Sequence, residues 1–198
     1  SNRWSDIDYE KVPSLANLKY KDAFLNHDSI RRNKYLASVK KGDSKLHMSV
    51  ATPVDVVSKY VNNSYDIKDL DEMLELAWTN LKNINIKNTL VVADGSGSMC
   101  TTVGNGNIEA IDVATALAIY TSEHNSGVYK DKYITFSNTP QFVDLSIGKS
   151  LKDKIEISYN YHEVSNTNIE AVFKLILGVA VKYEIPKEDM IDNVLIIS

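Results

Sequence analysis

The sequence has 198 residues, 43% apolar and 24% charged, with a net charge of -4. That profile suits a globular chain, either one ordinary domain with a sizeable extension or two small domains. It argues against strong phosphate-driven binding of nucleic acid by this piece. No apolar run approaches the ~18 residues that a membrane crossing needs, and no signal-peptide pattern opens the chain. The single cysteine, Cys100, excludes an internal disulfide framework and points to a reducing, cytoplasmic setting.

Residues 1 to about 50 are polar, with a basic cluster at Arg31, Arg32, Lys34, Lys40 and Lys41. A solvated helix face is the plainer reading of that cluster, and a nucleic-acid patch the sharper one. Phe24, Ile30, Tyr35, Leu36 and Val39 are spaced for one or two short helices. Thr52-Pro53 reads as a helix start, with Val54, Val57, Tyr60 and Val61 as its apolar stripe. Ile67, Leu70, Leu74, Trp78 and Leu81 recur at helical steps behind Asp66, Asp69 and Asp71. An antiparallel helical pair is therefore expected over residues 52–84.

The pattern then changes. Thr89-Leu90-Val91-Val92-Ala93 is a strand apolar on both faces, followed by a Gly/Ser loop. Ile108, Ile111, Ala114, Thr115, Leu117 and Ala118 mark a helix. Tyr133-Ile134-Thr135-Phe136 and Gln141-Phe142-Val143-Asp144 form two strands around the turn Ser137-Asn138-Thr139-Pro140. Ile169, Val172, Phe173, Ile176, Leu177 and Ala180 make a further helix, and Val194-Leu195-Ile196-Ile197 a fourth strand. Strand, helix, hairpin, helix, strand predicts an α/β layered fold with a partly parallel sheet. The expected division is a helical extension over 1–85 and an α/β domain over 86–198. Ser1-Asn2 looks like the remnant of a removed tag, and the chain stops on an apolar strand that needs neighbours. A piece of a longer protein is expected.

The loop Asp94-Gly95-Ser96-Gly97-Ser98-Met99 follows the first buried strand, where doubly wound sheets bind their ligands. One carboxylate and two hydroxyls are hard oxygen ligands suited to Mg²⁺, and the intervening glycines let alternate side chains converge. One charge cannot neutralise the ion, so an external carboxylate could join it. A plain Ser/Gly turn capping the next helix is the bland alternative. An aspartyl-phosphatase nucleophile fails because Ser96 stands where its second acid belongs. A nucleophile elbow fails because Asp94 and Ser98 flank Ser96 instead of glycines. A P-loop lacks its Gly-Lys-Ser/Thr, and Gly104-Asn105-Gly106 meets Glu109 where a dinucleotide fingerprint needs its third Gly. That stretch reads as a loop.

Apolar strand plus Asp-x-Ser-x-Ser resembles the metal-ion-dependent adhesion site (MIDAS) of von Willebrand factor A (vWA) domains. The resemblance implies a Rossmann-like, doubly wound, mostly parallel sheet, truncated here at its C-terminus. It carries Thr167, in Asn166-Thr167-Asn168, over as a ligand beside Asp94, Ser96 and Ser98. It also places a second Asp just beyond Ser198, so Mg²⁺ (or Ca²⁺ or Mn²⁺) is expected to bind weakly. A narrower resemblance is to an uncharacterised family that couples a helical segment to such a domain. It covers about residues 22–198, through the metal loop, Ser122-Glu123, Ile134-Thr135-Phe136-Ser137, Asn166-Thr167, Val172-Phe173 and Trp78. That family has a β-branched residue where Gly95 stands. The domain order is similar to Ro autoantigen proteins, whose helical repeats bind RNA.

The expected function is a non-enzymatic, metal-dependent protein-interaction module whose partner offers an Asp or Glu. The sheet order that the resemblance implies leaves one edge of the fourth strand free, and a homodimer through that edge, or through the face that missing helices would cover, is expected. RNA binding through Arg31 and Arg32 and metal-dependent hydrolysis are the rivals. Cys100, a soft ligand, reads as packing. His27, His47, His124 and His162 lack metal-ligand spacing and read as ordinary residues. Glu109 and Asp112 read as helix N-terminal stabilisers, with contact to metal ligands as the alternative.

Overall fold

The computed structural model describes residues 3–62, 66–83, 86, 88–104, 108–163 and 165–198. Ser1-Asn2, the loop residues Asn105 and Gly106, and most of the expected domain boundary at 84–87 lie outside the described residues. The chain divides into two compact units, one of Ser1–Tyr60 and Lys68–Asn83, the other of Val61–Ile67 and Ile84–Ser198.

The first unit is helical. Short 3₁₀ turns at Trp4–Asp6 and Tyr9–Lys11 precede α1 (Ser14–Lys19), α2 (Lys21–Lys41), α3 (Pro53–Tyr60) and, after an excursion into the second unit, α4 (Glu72–Thr79). Helix α2 is one element bent at Asp28, whose φ of -147° and ψ of 44° leave the helical range. The Asp28 carboxylate accepts hydrogen bonds from the Tyr9 hydroxyl and the Arg31 guanidinium, both at 2.9 Å. Helix α3 starts at Pro53 as the sequence requires, with Thr52 and Asp55 capping one another. Helix α4 is shorter than expected. Asp71 has an extended backbone and caps Leu74, so the helix cannot begin earlier. Ile67 instead belongs to a two-stranded hairpin, β1 (Val61–Asn62) with β2 (Asp66–Ile67), and Leu70 is exposed. The continuous helical pair over 52–84 is thus interrupted.

The basic cluster on α2 is only partly a solvated face. Arg32 is fully buried, with its guanidinium carbon 5.0, 5.1 and 5.4 Å from the ring centres of Tyr9, Phe24 and Tyr35. None of its three guanidinium nitrogens meets a hydrogen-bond acceptor among the described residues. Burial pushes its pKa below the ordinary value. Attraction to the three rings offsets part of the desolvation cost, since a desolvated cation–π contact contributes about 2 kcal/mol. Arg31 donates to the backbone oxygens of Trp4 and Ile7.

The second unit is α/β. It contains β3 (Thr89–Ala93), α5 (Ala110–His124), β4 (Lys132–Thr135), β5 (Phe142–Asp144), α6 (Leu151–Tyr159), α7 (Ile169–Lys182) and β6 (Asn193–Ile197). The sheet order is β5-β4-β3-β6. Strand β3 pairs parallel with β4 on one side and with β6 on the other, and β4 pairs antiparallel with β5. Leu90, Val92 and Ile134 pack against Val172 and Ile176 of α7. Val91 and Ala93, on the opposite face by alternation, are buried as well, and α5 lies against β3 and β4.

Two features differ from the sequence reading. Helix α6 was not expected. Its stripe of Leu151, Ile155 and Tyr159 is short, and its start depends on a reciprocal cap between Ser150 and Asp153. Strand β6, the apolar strand that the sequence expects to have neighbours, leaves Leu195 and Ile196, which point to opposite faces, each 41% exposed. It is an edge strand, paired only with β3 among the described residues.

The Arg32 cluster yields a stability test. Arg32→Met keeps volume and removes the buried charge, so the unfolding midpoint should stay level or rise. Arg32→Lys puts a more strongly hydrated point charge among the same rings and should lower stability by about 2 kcal/mol. Denaturant unfolding of the three proteins measures both. A large loss in Arg32→Met alone would mean that the guanidinium is a net stabiliser.

Candidate metal centre

The end of β3 is held from both sides. Phe136, just past β4, donates its N–H to Ala93 O at 2.8 Å, and Asp94 donates its own to Ile197 O of β6 at 2.9 Å. Asp94 therefore sits where the two neighbouring strands leave the sheet, and it is only 5% exposed. Its Oδ1 accepts the Ser96 N–H at 2.9 Å and its Oδ2 the Ser198 hydroxyl at 3.1 Å. Gly97–Met99 then forms one 3₁₀ turn. This turn brings the Ser96 and Ser98 hydroxyl oxygens to 2.8 Å from each other.

Three of the four residues expected to hold a metal thus share one compact loop. A carboxylate oxygen carries lone pairs beyond those used here, and each hydroxyl can turn its proton outward. Among the described residues no group of three or more His, Cys, Asp or Glu is assembled. A cation at this loop would be held mainly by neutral oxygens, which fits a hard ion and not a soft one.

Thr167 stands on the loop before α7. That loop is pinned to the C-terminal end of β4, since Asn138 donates its backbone N–H to Ser165 Oγ at 3.0 Å. It therefore lies at the same end of the sheet as Asp94. Thr167 itself is exposed, and no hydrogen bond joins it to the 94–98 loop among the described residues. Asn168 caps α7 through the Ala171 N–H at 3.0 Å. Glu109 and Asp112 form a reciprocal cap on α5, the plain reading of the sequence. Cys100 is partly buried. His27 stacks on Trp4, and His124 Nδ1 lies 2.7 Å from Tyr120 O.

His162 is the residue that sequence reasoning passed over. It follows α6, with its ring tilted on Tyr159 at 4.4 Å between centres and Nε2 3.5 Å from Thr115 Oγ1. With Asp94, Thr115 and Thr135 it lines a cavity of about 10 Å³. Burial pushes its pKa down to about 4. Its one sequence signal was the departure at Gly95, because a missing side chain there leaves room for a ring from elsewhere.

Residues 88–198, more than half of the chain, match the family described as domain of unknown function DUF7788. The chain belongs to that family. Residues 1–90 match a second family, domain of unknown function DUF2828. A protein of Acanthamoeba polyphaga mimivirus, named uncharacterized protein L728, is 29% identical over 214 residues. The match covers 99% of this chain and 35% of that protein, so the chain spans about a third of the curated relative's length. No solved structure matches the chain.

The half-buried His162 imidazole gives a pH dependence whose sign follows from its lowered pKa. Its folded-state pKa of about 4 lies below the ordinary 6.5, so the unfolded chain binds the extra proton between those values. Stability should be complete above about pH 6.5 and fall as pH drops toward 4, with a limiting slope of roughly 1.4 kcal/mol per unit. Lowered Asp144 and Asp153, held by hydrogen bonds from Ser146 and Lys149, add their losses only below about pH 4. Denaturant midpoints of wild type and His162→Gln across pH 4–7 separate the two. An unchanged slope in the variant would contradict the assignment.

Proposed function

We propose that this chain is a non-enzymatic interaction module in which Asp94, Ser96, Ser98 and Thr167 hold Mg²⁺. A carboxylate from a partner protein completes the coordination. The observation that carries the reading is the convergence of the Asp94 carboxylate and two serine hydroxyls at the end of β3. Strand β3 is flanked by parallel strands on both sides, so its C-terminal end is the switch point where open α/β sheets bind ligands. On the same reading the sheet is part of a doubly wound fold of the von Willebrand factor A type. A cytoplasmic setting is compatible with the lone cysteine, and no helix among the described residues is long and apolar enough to cross a membrane.

One negative ligand leaves a divalent ion with positive charge to spare, and Mg²⁺ is usually held by one or two carboxylates with several waters retained. A partner's Asp or Glu meets that need. RNA binding through Arg31 and Arg32 draws less support, because Arg32 is enclosed by rings and Arg31 is engaged with backbone oxygens.

We propose a second copy of the chain as the partner of the β6 edge that no strand among the described residues pairs. Leu195 and Ile196 are exposed on its two faces, and Phe173, Leu177 and Val181 leave an apolar stripe bare along α7. Free edges with apolar neighbours recruit further strands. Light scattering at rising concentration should report dimers, and Ile196→Lys should return the protein to monomer. A strictly monomeric wild type at high concentration would count against the pairing.

Calorimetric titration with Mg²⁺ tests the metal reading itself. Weak, saturable binding is expected, lost in Asp94→Ala and lowered about tenfold, or about 1.4 kcal/mol, in Ser96→Ala and Ser98→Ala. A folded wild-type protein that takes up no Mg²⁺ overturns the proposal.

A further inference from the structure

Gly95 separates the only charged ligand of the proposed site from its first hydroxyl. Its φ is not positive, unlike those of Gly42, Gly104 and Gly127, so no left-handed backbone demands glycine there. Space does. A Cβ built on Gly95 would lie 2.8 Å from His162 Cδ2, 3.1 Å from its Cα and 3.3 Å from its Cγ. No real Cβ tolerates the first of these contacts. The ring of His162 occupies the volume that a side chain at 95 would fill.

His162 is itself firmly held. Its N–H donates to Tyr159 O at 3.2 Å, and its ring lies against the Tyr159 ring. The Tyr159 hydroxyl in turn donates to Asp112 Oδ1 at 2.6 Å in the first turn of α5. A continuous set of contacts therefore runs from α5 through Tyr159 and His162 to the backbone of Gly95. Glycine has the widest conformational range of any residue, and a free glycine here would let Asp94 and Ser96 drift apart.

We propose that His162 is the positioning residue of the 94–98 loop, its ring replacing the side chain that position 95 lacks and fixing the spacing of Asp94, Ser96 and Ser98. The metal consequence rests on the reading of that loop as a Mg²⁺ site. The positioning role is independent of it.

The experiment uses the whole chain, with His162→Ala, Gly95→Ala, the double variant and His162→Phe. Two readouts are taken: amide exchange of Ser96, Ser98 and Met99 without metal, and Mg²⁺ affinity by calorimetry. In His162→Ala the loop amides should exchange about tenfold faster and affinity should fall about tenfold. Gly95→Ala should also lose affinity, because its methyl meets the ring. In the double variant the two ring contacts are gone and only the 3.1 Å approach to the Cα of residue 162 remains, so protection and affinity should recover to within about threefold of wild type. His162→Phe keeps the ring's bulk and should behave as wild type, which also covers the case in which His162→Ala does not fold. Loop exchange unchanged in His162→Ala, a double variant no better than that single variant, or His162→Phe as damaged as His162→Ala would each overturn the proposal. A wild type with a protected loop and no Mg²⁺ heat would instead sink the metal reading, and the exchange pattern would still decide the role of His162.

Discussion

Two backbone hydrogen bonds at the end of β3 carry the architecture of the site. One runs from Phe136 to Ala93 and the other from Asp94 to Ile197. They extend the parallel ladders one step beyond the strand itself, so the first loop residue is held on both sides before the chain is free to turn. A buried carboxylate must find hydrogen-bond donors, and Asp94 finds them in the Ser96 N–H and the Ser198 hydroxyl. The second of those donors stands 104 residues from Asp94 in the chain. The sheet is what makes them neighbours.

Legibility of the sequence follows the range of the interactions involved. Strand β3, helix α5 and the β4–β5 pair are readable because each carries its own periodicity within a dozen residues. Asp94, Ser96 and Ser98 are readable because they are contiguous. Helix α6 is not, since its apolar stripe has three members and its start depends on a Ser–Asp cap with no preceding apolar run to flag it. His162 depends on α6 and on Gly95, two features that look unrelated along the chain. The helix expected from Ile67 fails for a local reason. Asp66 and Ile67 pair with Val61 and Asn62 across a hairpin, and Asp71 then caps α4, so tertiary pairing overrode a sound helical spacing.

Arg32 shows the same limit from the other side. Charge statistics put arginine on surfaces, and a run of five basic residues reads as one solvated face. The rings that enclose Arg32 come from residues 9, 24 and 35, which the kink at Asp28 and the 3₁₀ turns ahead of α1 gather around it. Its neighbour Arg31 then closes the assembly by bonding the backbone of those turns. Two of the five positive charges, those of Arg31 and Arg32, are thus engaged within the unit, while Lys34, Lys40 and Lys41 stay exposed.

The spacing of the two serines bears on how metal and partner would cooperate. With Ser96 and Ser98 Oγ at 2.8 Å they hydrogen-bond each other, so an arriving cation must first replace that bond. On the proposed reading the return is three neutral ligands, Ser96, Ser98 and Thr167, and a share of one carboxylate that also serves Ser96 N–H and Ser198. Net gain for a reluctantly dehydrated ion is therefore small. A partner's carboxylate changes the balance, because it supplies the second negative charge only when the ion is already in place. Each would then bind poorly alone and better together, and by linkage the metal must strengthen the partner's affinity by the same factor as the partner strengthens the metal's. If the loop holds Mg²⁺ as proposed, weak intrinsic affinity would make it a conditional contact and not a permanent metal site.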